Sequence, residues 1–511
     1  MAPAAKRLGT FTTVADAQKY LLGLDAGNTV IKAVLFDLTG RQIALHAIDG
    51  QSSSPAAGQV ERDLNELWAN AQTAIRGCIA QAGIAPEEIA AIGCAGHGNG
   101  LYLLDKTGTP LLGIQSLDTR GADLAAELDA EHGAALYDIC RQRPWPSQTP
   151  VLLAWIKRHR PEIYQSTGAA LLCKDFIGFK LTGERFSDIS DMSGCGLTAM
   201  PDCTYSDELL ALYGLRDAAP LLPKLLDPAA IAGHITPEAS ACTGLAAGTP
   251  VIAGYFDVIS SALGSGAGAK GDASIIVGSW SINQVFSDAP VSDERVFMAS
   301  GFGPKRFVNI ESSATSAANL EWYVREFVER GQHHDDPFGQ CNALVAGVDP
   351  APDDPFFHPF LYGSRQGAEF RAGFYGLAGW HSEGHMLRAI FEGVMFEHRR
   401  HIEVLAQAGV HMDRATLSGG GARSPHWPQI FADGLGVPIT VAEARETGAL
   451  GAAIGAAVGV GIFADYEAGI AAMTRVSQRL LPDPATKAHY DARYHTYLAL
   501  TEMMRGFWAK T

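Results

Sequence analysis

Two apolar runs near the start of the chain are separated by a short turn of small and polar residues. The first run, Tyr20–Leu24, ends at Asp25, and the second run is Val30–Phe36. Because the second run is rich in β-branched residues, it favours a strand over a helix. The pattern therefore predicts a β-hairpin with the turn at Ala26–Thr29, followed by a third strand at Gln42–Ala47. A P-loop or a dinucleotide-binding motif would instead continue from the glycine turn into a helix.

The same pattern returns half a chain later. Residues Gly271–Ile282 again predict a strand, a turn of small residues and a second strand, although the two stretches share little sequence. We interpret this as a structural duplication rather than a sequence repeat, with a domain boundary near Gly264–Gly271. Because 511 residues are too many for one ordinary core, two domains are expected in any case.

Periodic apolar positions predict the other elements that matter for the site. Strand Ile89–Ala95 leads through the glycine turn Gly96–Gly100 into strand Leu101–Leu104. Strand Val251–Tyr255 ends near Asp257 and passes into a helix at Val258–Leu263. Further helices are predicted at Asp63–Ala82, Gly121–Glu131, Pro150–His159, Asp175–Leu181, Ser382–Ala406 and Pro425–Leu435.

Charge and composition narrow the class of protein. A formal net charge of −16 without a Lys/Arg-rich run argues against nucleic-acid binding. The eight cysteines contain no CxxC pair, which predicts reduced, mostly buried thiols and a cytoplasmic protein. Residues 1–19 lack the apolar core of a signal peptide, and the Ala/Gly-rich stretch Gly448–Ile462 favours a buried helix over a membrane span.

Several residues carry candidate chemistry, each with a plainer alternative. The N–H groups of the first turn, with Asn28 and Thr29, can hold a phosphate, and Asp25 can hold a cation beside it; an ordinary hairpin is equally compatible. Asp257 can act as a general base at a strand end or simply cap a helix. The triplet Gly419–Gly421 allows close approach of a ligand to the backbone, or merely turns a strand into a helix.

Taken together, LDAGNT, GYFDV, IIVGSWS, SGGGARSPHW and ETGALGAA resemble, in this order, the motifs of the FGGY carbohydrate kinase family. The resemblance implies an α/β, actin/hexokinase/Hsp70-like (ribonuclease H-like) two-domain fold with a duplicated mixed sheet and an interdomain cleft. It implies an N-terminal domain at residues 20–265, with the sugar site and first phosphate loop. It implies a C-terminal domain at residues 266–505, with the second phosphate loop and the adenosine site.

Within the family, GQVERDLNELW, GNGLYLLDKTGTPL and FLYGSRQG are most similar to L-xylulose kinases. The implied reaction transfers the γ-phosphoryl group of ATP to a pentulose, L-xylulose, with Mg²⁺ as cofactor. Kinases for D-xylulose, ribulose or a polyol such as erythritol are the nearest alternatives. A sugar- or nucleotide-sensing protein without turnover and an actin-like filament protein are alternatives of other classes. The family also suggests a homodimer.

The resemblance assigns a role to each candidate residue. Asp257 corresponds to the catalytic base and Asp25 to the residue that holds Mg²⁺ through water. Lys32 matches a basic position of the family, although a solvated strand residue is an equal alternative. Ser279 stands where many members have threonine. The implied nucleotide-binding set is Asn28, Thr29, Lys32, Gly278, Ser279, Gly419, Gly420, Gly421 and Ser424.

For the sugar, the candidates are His97, Asn99, Asp118 and Arg120. His97 departs from the glutamine that family members often have, and Arg120 can instead brace Asp118. Glu61 and Arg62 are weaker candidates for the same pocket. Zinc binding by His381 with His385, or by His398 with His401, would need a third ligand, so a helix start and a solvated helix face are the favoured interpretations.

Overall fold

The computed structural model describes residues 19–367 and 369–510. Predictions for residues 1–18 lie outside this described part. Within it, the fold is organised around two seven-stranded mixed sheets. The first sheet contains Ile231–His234, Pro250–Ile252, Ile89–Gly96, Tyr20–Ala26, Val30–Asp37 and Gln42–Asp49, with Tyr255–Phe256 beside the third of these. The second contains Met298–Gly303, Arg306–Ser313, Ser281–Ser287, Asp272–Val277, Arg414–Ser418, Ile439–Ala442 and Val476–Leu480.

The two sheets repeat one arrangement, which confirms the predicted duplication. In each, the strand before the turn pairs antiparallel with the strand after it and parallel with a later strand. The first set is Tyr20–Ala26 with Val30–Asp37 and Ile89–Gly96; the second is Asp272–Val277 with Ser281–Ser287 and Arg414–Ser418. We call Gly27–Thr29 the first turn and Gly278–Trp280 the second turn.

Helices cover both sheets, and apolar cores fill the space between helices and strands. The predicted helices are all present, most within a few residues of their expected bounds. The largest difference is the second, which extends to Cys140 instead of ending at Glu131. The α-helices are Leu64–Ala82, Ala122–Cys140, Thr149–His159, Pro161–Ser166, Cys173–Thr182, Ile189–Gly194, Asp207–Leu212, Pro237–Thr243, Asp257–Ser265, Ala318–Tyr323, Pro337–Ala346, Glu383–Gln407, Trp427–Leu435, Thr447–Gly459, Tyr466–Met473 and Pro484–Trp508.

Two helices cross where the sheets meet: the hinge helix, Asp257–Ser265, and the glycine-rich helix, Thr447–Gly459. A Cβ atom on Gly451 would lie 1.8 Å from the Ser260 carbonyl oxygen, so the crossing requires glycine there. The Ser260 hydroxyl donates a hydrogen bond of 2.7 Å to the Gly448 carbonyl. The last turn of the hinge helix lies against the first turn of the glycine-rich helix, because a Cβ atom on Gly264 would lie 2.0 Å from the Thr447 carbonyl oxygen.

The predicted strand Val251–Tyr255 is broken in the structure. Pro250–Ile252 and Tyr255–Phe256 are separate strands on either side of Gly254, which has φ of +92°. A Cβ atom on Gly254 would lie 2.2 Å from the Cys94 carbonyl oxygen. Glycine is therefore required twice, by conformation and by close approach, and the break sets the direction in which the chain enters the hinge helix.

The expectation that His398 and His401 lie on a solvated helix face is wrong. Both side chains are fully buried against the second sheet and hydrogen-bonded to Asn283. Within residues 19–367 and 369–510, no group of three or more His, Cys, Asp or Glu side chains is arranged to hold a metal. The two helical histidines are therefore part of the hydrogen-bonded core.

The cysteines and the apolar C-terminal stretch follow the predictions. All eight cysteines are free thiols, and seven of them are buried. The stretch beginning at Gly448 forms the buried part of the glycine-rich helix, packed against the first sheet. No helix in the described part of the chain is both long enough and apolar enough to cross a bilayer.

Candidate active site

Two carboxylates, Asp25 and Asp257, lie at the junction of the sheets, close enough for the charge of Asp25 to influence the pKa of Asp257. Asp25 is the last residue but one of its strand, and Asp257 is the first residue of the hinge helix. The N-cap position of that helix is Phe256, so Asp257 does not cap the helix. A Cβ atom on Gly448 would lie 2.8 Å from Asp25 Oδ2, which brings the glycine-rich helix against the same carboxylate.

Both carboxylates have raised pKa values. Desolvation raises the pKa of Asp257 to about 8, with a further increase from the Asp25 charge. Desolvation also raises the pKa of Asp25 to about 6, against the lowering effect of the Lys32 ammonium. Two acids that interact electrostatically favour the binding of a cation or a proton, which is the property expected of a site that handles phosphates.

The first turn is held from one side by side chains that the sequence did not single out. The Gln115 amide donates a hydrogen bond of 2.6 Å to the Asn28 carbonyl, and the Asn28 amide donates one of 3.0 Å to Ser116 Oγ. Thr29 is exposed, and its carbonyl accepts from the Gly50 N–H at 2.7 Å. The Thr29 hydroxyl is therefore accessible, whereas the Asn28 side chain is already engaged.

The second turn is more open. Gly278 and the exposed Ser279 follow directly after their strand, and no atom lies within 3.4 Å of a Cβ built on Gly278. The Gly278 carbonyl accepts a hydrogen bond of 2.9 Å from the Ala317 N–H, which fixes the turn to the segment before helix Ala318–Tyr323. The Ser279 hydroxyl is thus free to face a ligand.

A cavity of about 710 Å³ lies beside the second turn, a size suited to a nucleoside. Its walls combine apolar side chains with the backbone of the glycine triplet. The stacked rings of Phe391 and Trp427, 4.3 Å between centroids, form one part of the lining. The lining is Ala317, Leu320, Glu321, Asp336, Phe338, Gly339, Asn342, Ala343, Phe391, Gly420, Gly421, Arg423, Ser424, Pro425, His426 and Trp427.

Within the triplet Gly419–Gly421, two positions require glycine for different reasons. Gly419 has φ of +87°, and a Cβ on Gly421 would lie 2.4 Å from Val277 Cγ1. A Cβ on Gly420 would meet nothing within 4 Å, so this position leaves a gap on the cavity side. Ser424 lines the cavity and also accepts hydrogen bonds from the N–H groups of His426 and Trp427 at 3.2 Å. It therefore supports the following helix as well.

These residues fit the groups that the sequence implies. The glycine backbone and apolar walls of the cavity suit an adenosine, and the two turns suit its phosphates. Mg²⁺ commonly uses one or two protein carboxylates and completes its coordination with water and phosphate oxygens. Asp25, next to the first turn, supplies one such carboxylate.

On the sugar side, Asn99 and His97 occupy the glycine turn after strand Ile89–Gly96. Asn99 is 2% exposed, has φ of +64°, and its Oδ1 has no hydrogen-bond partner within the described part of the chain. Such an orphaned acceptor suits a hydroxyl donor. His97 is instead engaged from behind, because Tyr102 Oη donates to its Nε2 at 2.9 Å, and burial lowers the pKa of His97 to about 4.

Asp118 and Arg120 are brought together, but mainly with each other. Arg120 contacts both carboxylate oxygens of Asp118 through its Nε and Nη2, at 2.8–3.0 Å, and Nη2 also contacts Glu61 at 2.8 Å. The Val60 N–H donates to Asp118 Oδ2 at 2.6 Å. Arg62 lies nearby with its Nε and Nη2 buried and without a hydrogen-bond partner in the described residues. The alternative that Arg120 braces Asp118 therefore agrees with the observed contacts.

Sequence reasoning missed two kinds of site residue. Gln115 and Ser116 hold the first turn, but nothing in their local pattern marks them. Glu446 pairs with Lys32, with 2.7 Å between Oε2 and Nζ. Glu446 is the first residue of the recognised motif ETGALGAA, but nothing in that motif indicated Lys32 as its partner.

Comparison with known proteins agrees with this geometry. Residues 20–264 match the N-terminal domain and residues 273–460 the C-terminal domain of the FGGY family of carbohydrate kinases. A probable L-xylulose kinase of Pasteurella multocida is 36% identical, with 95% of this chain and 99% of the relative covered. The L-xylulose/3-keto-L-gulonate kinase of Escherichia coli K12 is 34% identical, with 96% and 98% covered.

Among known structures, xylulose kinase from Rhodospirillum rubrum superposes with a TM-score of 0.89 at 29% identity, covering 96% of this chain and 100% of that one. The fold is thus the two-domain, actin/hexokinase-like fold of sugar kinases. The chain belongs to the FGGY family of carbohydrate kinases, and it is a sugar phosphotransferase.

Proposed function

We propose that this FGGY-family enzyme transfers the γ-phosphoryl group of ATP to a hydroxyl of a pentulose, with L-xylulose as the preferred acceptor. The observation that carries the proposal is the placement of both acids at one helix crossing: Asp25 Oδ2 lies next to Gly448, and Asp257 begins the helix whose Ser260 hydroxyl donates to the Gly448 carbonyl. The choice of sugar is supported by the relatives that are more than 30% identical over nearly the whole chain.

Asp257 is the proposed general base. A carboxylate within hydrogen-bond reach of the sugar hydroxyl accepts its proton as the oxygen attacks phosphorus, and it also aligns that oxygen. Desolvation, and to a smaller extent the Asp25 charge, raises the pKa of Asp257, which makes its carboxylate a stronger proton acceptor than that of an ordinary aspartate. Asp257 is the first residue of the hinge helix, which contacts strands of both sheets and so holds the base between them.

Asp25 is the proposed residue for Mg²⁺, held through water. When bound, the cation neutralises charge on the transferring phosphoryl group. The residues proposed to position phosphate are Asn28, Thr29, Lys32, Gly278 and Ser279, which belong to the two hairpins or follow their turns. Gly419, Gly420, Gly421 and Ser424 are proposed to hold the adenosine in the 710 Å³ cavity.

Asn99 is the proposed sugar contact with the best geometry, because its buried Oδ1 is unpaired. His97, Asp118 and Arg120 remain proposed members of the sugar site, with His97 and Asp118 engaged in internal hydrogen bonds.

The proposed domains are residues 20–265 and 266–505. The strands of the first sheet end at Phe256 and those of the second begin at Asp272, which supports this division. A cytoplasmic location and a homodimer are proposed from the family.

The test is ADP release with Mg·ATP against L-xylulose, D-xylulose, L- and D-ribulose, erythritol and glycerol. We expect L-xylulose to have the highest kcat/KM. A higher kcat/KM for another pentulose or a polyol would support a sugar kinase but would show that L-xylulose is not its preferred substrate. If no sugar releases ADP while calorimetry shows binding of ATP or sugar, the protein is a sensor instead. ATP-dependent sedimentation would support a filament protein.

A further inference from the structure

A buried chain of hydrogen bonds crosses the core behind the second turn. It joins Ser316, His398, Asn283, His401 and Ser313, each of which is at most 2% exposed. The two histidines lie on helix Glu383–Gln407, and the asparagine lies on the strand that leaves the second turn. We call this set the histidine chain. Its members do not touch the cavity, so they are not expected to contact a ligand.

The hydrogen bonds of the histidine chain have one direction. Asn283 Oδ1 can only accept, so His398 Nδ1–H donates to it at 2.8 Å; Asn283 Nδ2 can only donate, so His401 Nδ1 accepts at 2.9 Å. A neutral imidazole carries one N–H. His398 Nε2 therefore accepts from Ser316 Oγ at 3.1 Å, and His401 Nε2–H donates to Ser313 Oγ at 3.1 Å.

The two histidines are consequently opposite tautomers, and neither carries a charge near neutral pH. Burial lowers the pKa of His398 to about 3 and holds that of His401 well below its usual range. The charged groups Arg400 and Arg365 lower the pKa of His401 further. The chain therefore keeps one arrangement over the pH range in which the enzyme would work.

Both ends of the histidine chain are attached to the second turn. Ser313 Oγ lies 3.2 Å from the hydroxyl of Ser281, the residue that follows the turn. Ser316 precedes Ala317, whose N–H donates to the Gly278 carbonyl at 2.9 Å. Ala317 also lines the cavity. The turn and the cavity wall are thus both anchored to one rigid buried network.

We propose that the histidine chain positions the second turn against the wall of the nucleotide cavity, so that Asn283 and His398 are positioning residues for the ATP phosphates. The inference rests on the proposed function for the identity of the nucleotide. It predicts that breaking the chain weakens use of ATP while use of the sugar is nearly unchanged. A general role in core stability would not separate the two substrates.

The kinetic test uses Asn283→Leu, which removes the centre of the chain, and the milder Ser316→Ala, which removes one terminal donor. We expect KM for ATP and the dissociation constant of Mg·ADP, measured by calorimetry, to rise about tenfold in Asn283→Leu and about threefold in Ser316→Ala. KM for the ketose should stay within about twofold.

The matched control is Thr501→Val, which breaks the 3.1 Å hydrogen bond between Thr501 Oγ1 and the buried His358 Nε2 in the same half of the protein. It should lower the melting temperature without changing the Mg·ADP dissociation constant. Equal increases in KM for ATP and ketose, or loss of stability with unchanged Mg·ADP binding in Ser316→Ala, would overturn the proposal.

A second measurement requires no variant to fold. Long-range ¹H–¹⁵N spectra of the histidine rings in the intact protein should show the proton on Nδ1 of His398 and on Nε2 of His401 at neutral pH. Identical tautomers, inverted tautomers or a charged ring would contradict the arrangement. Should no sugar be phosphorylated, the proposed function fails, while Mg·ADP binding and the ring spectra still decide on the histidine chain.

Discussion

Lys32 and Glu446 form an ion pair, with 2.7 Å between Nζ and Oε2, although 414 residues separate them in the chain. Lys32 lies on the strand after the first turn, and Glu446 immediately precedes the glycine-rich helix. Their opposite charges lower and raise the pKa of Asp25, respectively. The pair therefore connects the two halves of the molecule beside the proposed cation site.

Variants of this pair can distinguish two roles for Lys32: a phosphate ligand, or a brace between the two halves of the protein. We expect Lys32→Met to lower kcat/KM for ATP about tenfold, because it removes a cation beside the first turn. Glu446→Gln leaves that cation in place and should change the value less than about threefold. Equal losses in both single variants and in the double variant would indicate a brace, since all three would break the same contact.

Replacement of the proposed base tests the centre of the mechanism. Asp257→Asn keeps the shape of the side chain but cannot accept a proton, so we expect kcat to fall about a thousandfold. Calorimetry should show Mg·ADP and sugar binding within about threefold of the native protein. Asp227→Asn is the control, because burial also raises the pKa of Asp227, which has no role in the site. A kcat within tenfold of native in Asp257→Asn would exclude Asp257 as the base.

The proposed metal ligand has a control on its own hairpin. Asp25→Asn should raise the Mg²⁺ concentration for half-maximal activity about tenfold, because a neutral amide attracts the hydrated cation less. Asp37→Asn changes the acid at the far end of the next strand. The Asp37 carboxylate accepts hydrogen bonds from Thr39 and Arg41, away from the proposed cation site. This variant should leave the Mg²⁺ requirement unchanged. An unchanged requirement in Asp25→Asn would assign the cation to phosphate and water alone.

The hairpins and helices were predictable because their apolar positions repeat locally. Apolar runs that end at or near Asp25 and Asp257 indicated strands, and the glycine motifs were recognisable in the sequence. The pairing of Lys32 with Glu446 was not predictable, because a contact across 414 residues leaves no local pattern.

The error at His398 and His401 has a specific physical cause. Polar residues on one side of a helix normally indicate solvent, and this rule fails where the polar groups find partners inside the core. Their partner Asn283 lies more than a hundred residues earlier, on strand Ser281–Ser287. Similarly, Asp118 is of a residue type that often binds sugar hydroxyls, yet its carboxylate accepts hydrogen bonds from Arg120 and from the Val60 N–H.

Asn99 and Asp118 should respond differently to substitution. Asn99→Ala removes an unpaired buried acceptor, so we expect KM for the ketose to rise about tenfold with stability little changed. Asp118→Asn breaks a buried ion pair with Arg120 and should cost about 3 kcal/mol of unfolding free energy. Kinetics together with thermal unfolding distinguish the two. A large rise in KM in a stable Asp118→Asn variant would restore Asp118 as a direct sugar ligand.

Four buried histidines predict that stability falls on mild acidification. Burial lowers the pKa of His97 and His358 to about 4 and that of His398 to about 3, and it lowers that of His401 further. Unfolded histidine has a pKa near 6.5. Between these pKa values the unfolded chain binds more protons than the folded protein. The histidines therefore make their full contribution to the free energy of unfolding above about pH 6.5, and this contribution decreases as the pH falls.

The contribution of one histidine can be isolated by a difference between variants. Each group changes the free energy of unfolding by up to about 1.4 kcal/mol per pH unit in this window. The raised pKa values of Asp25 and Asp257 act with the opposite sign, but they cancel when variants are compared. Urea unfolding between about pH 7 and about pH 5 should therefore show a shallower pH slope for His358→Gln, by about one proton. His333→Gln, whose side chain is exposed, should keep the native slope. The same slope in all three proteins would mean that His358 is protonated in the folded state.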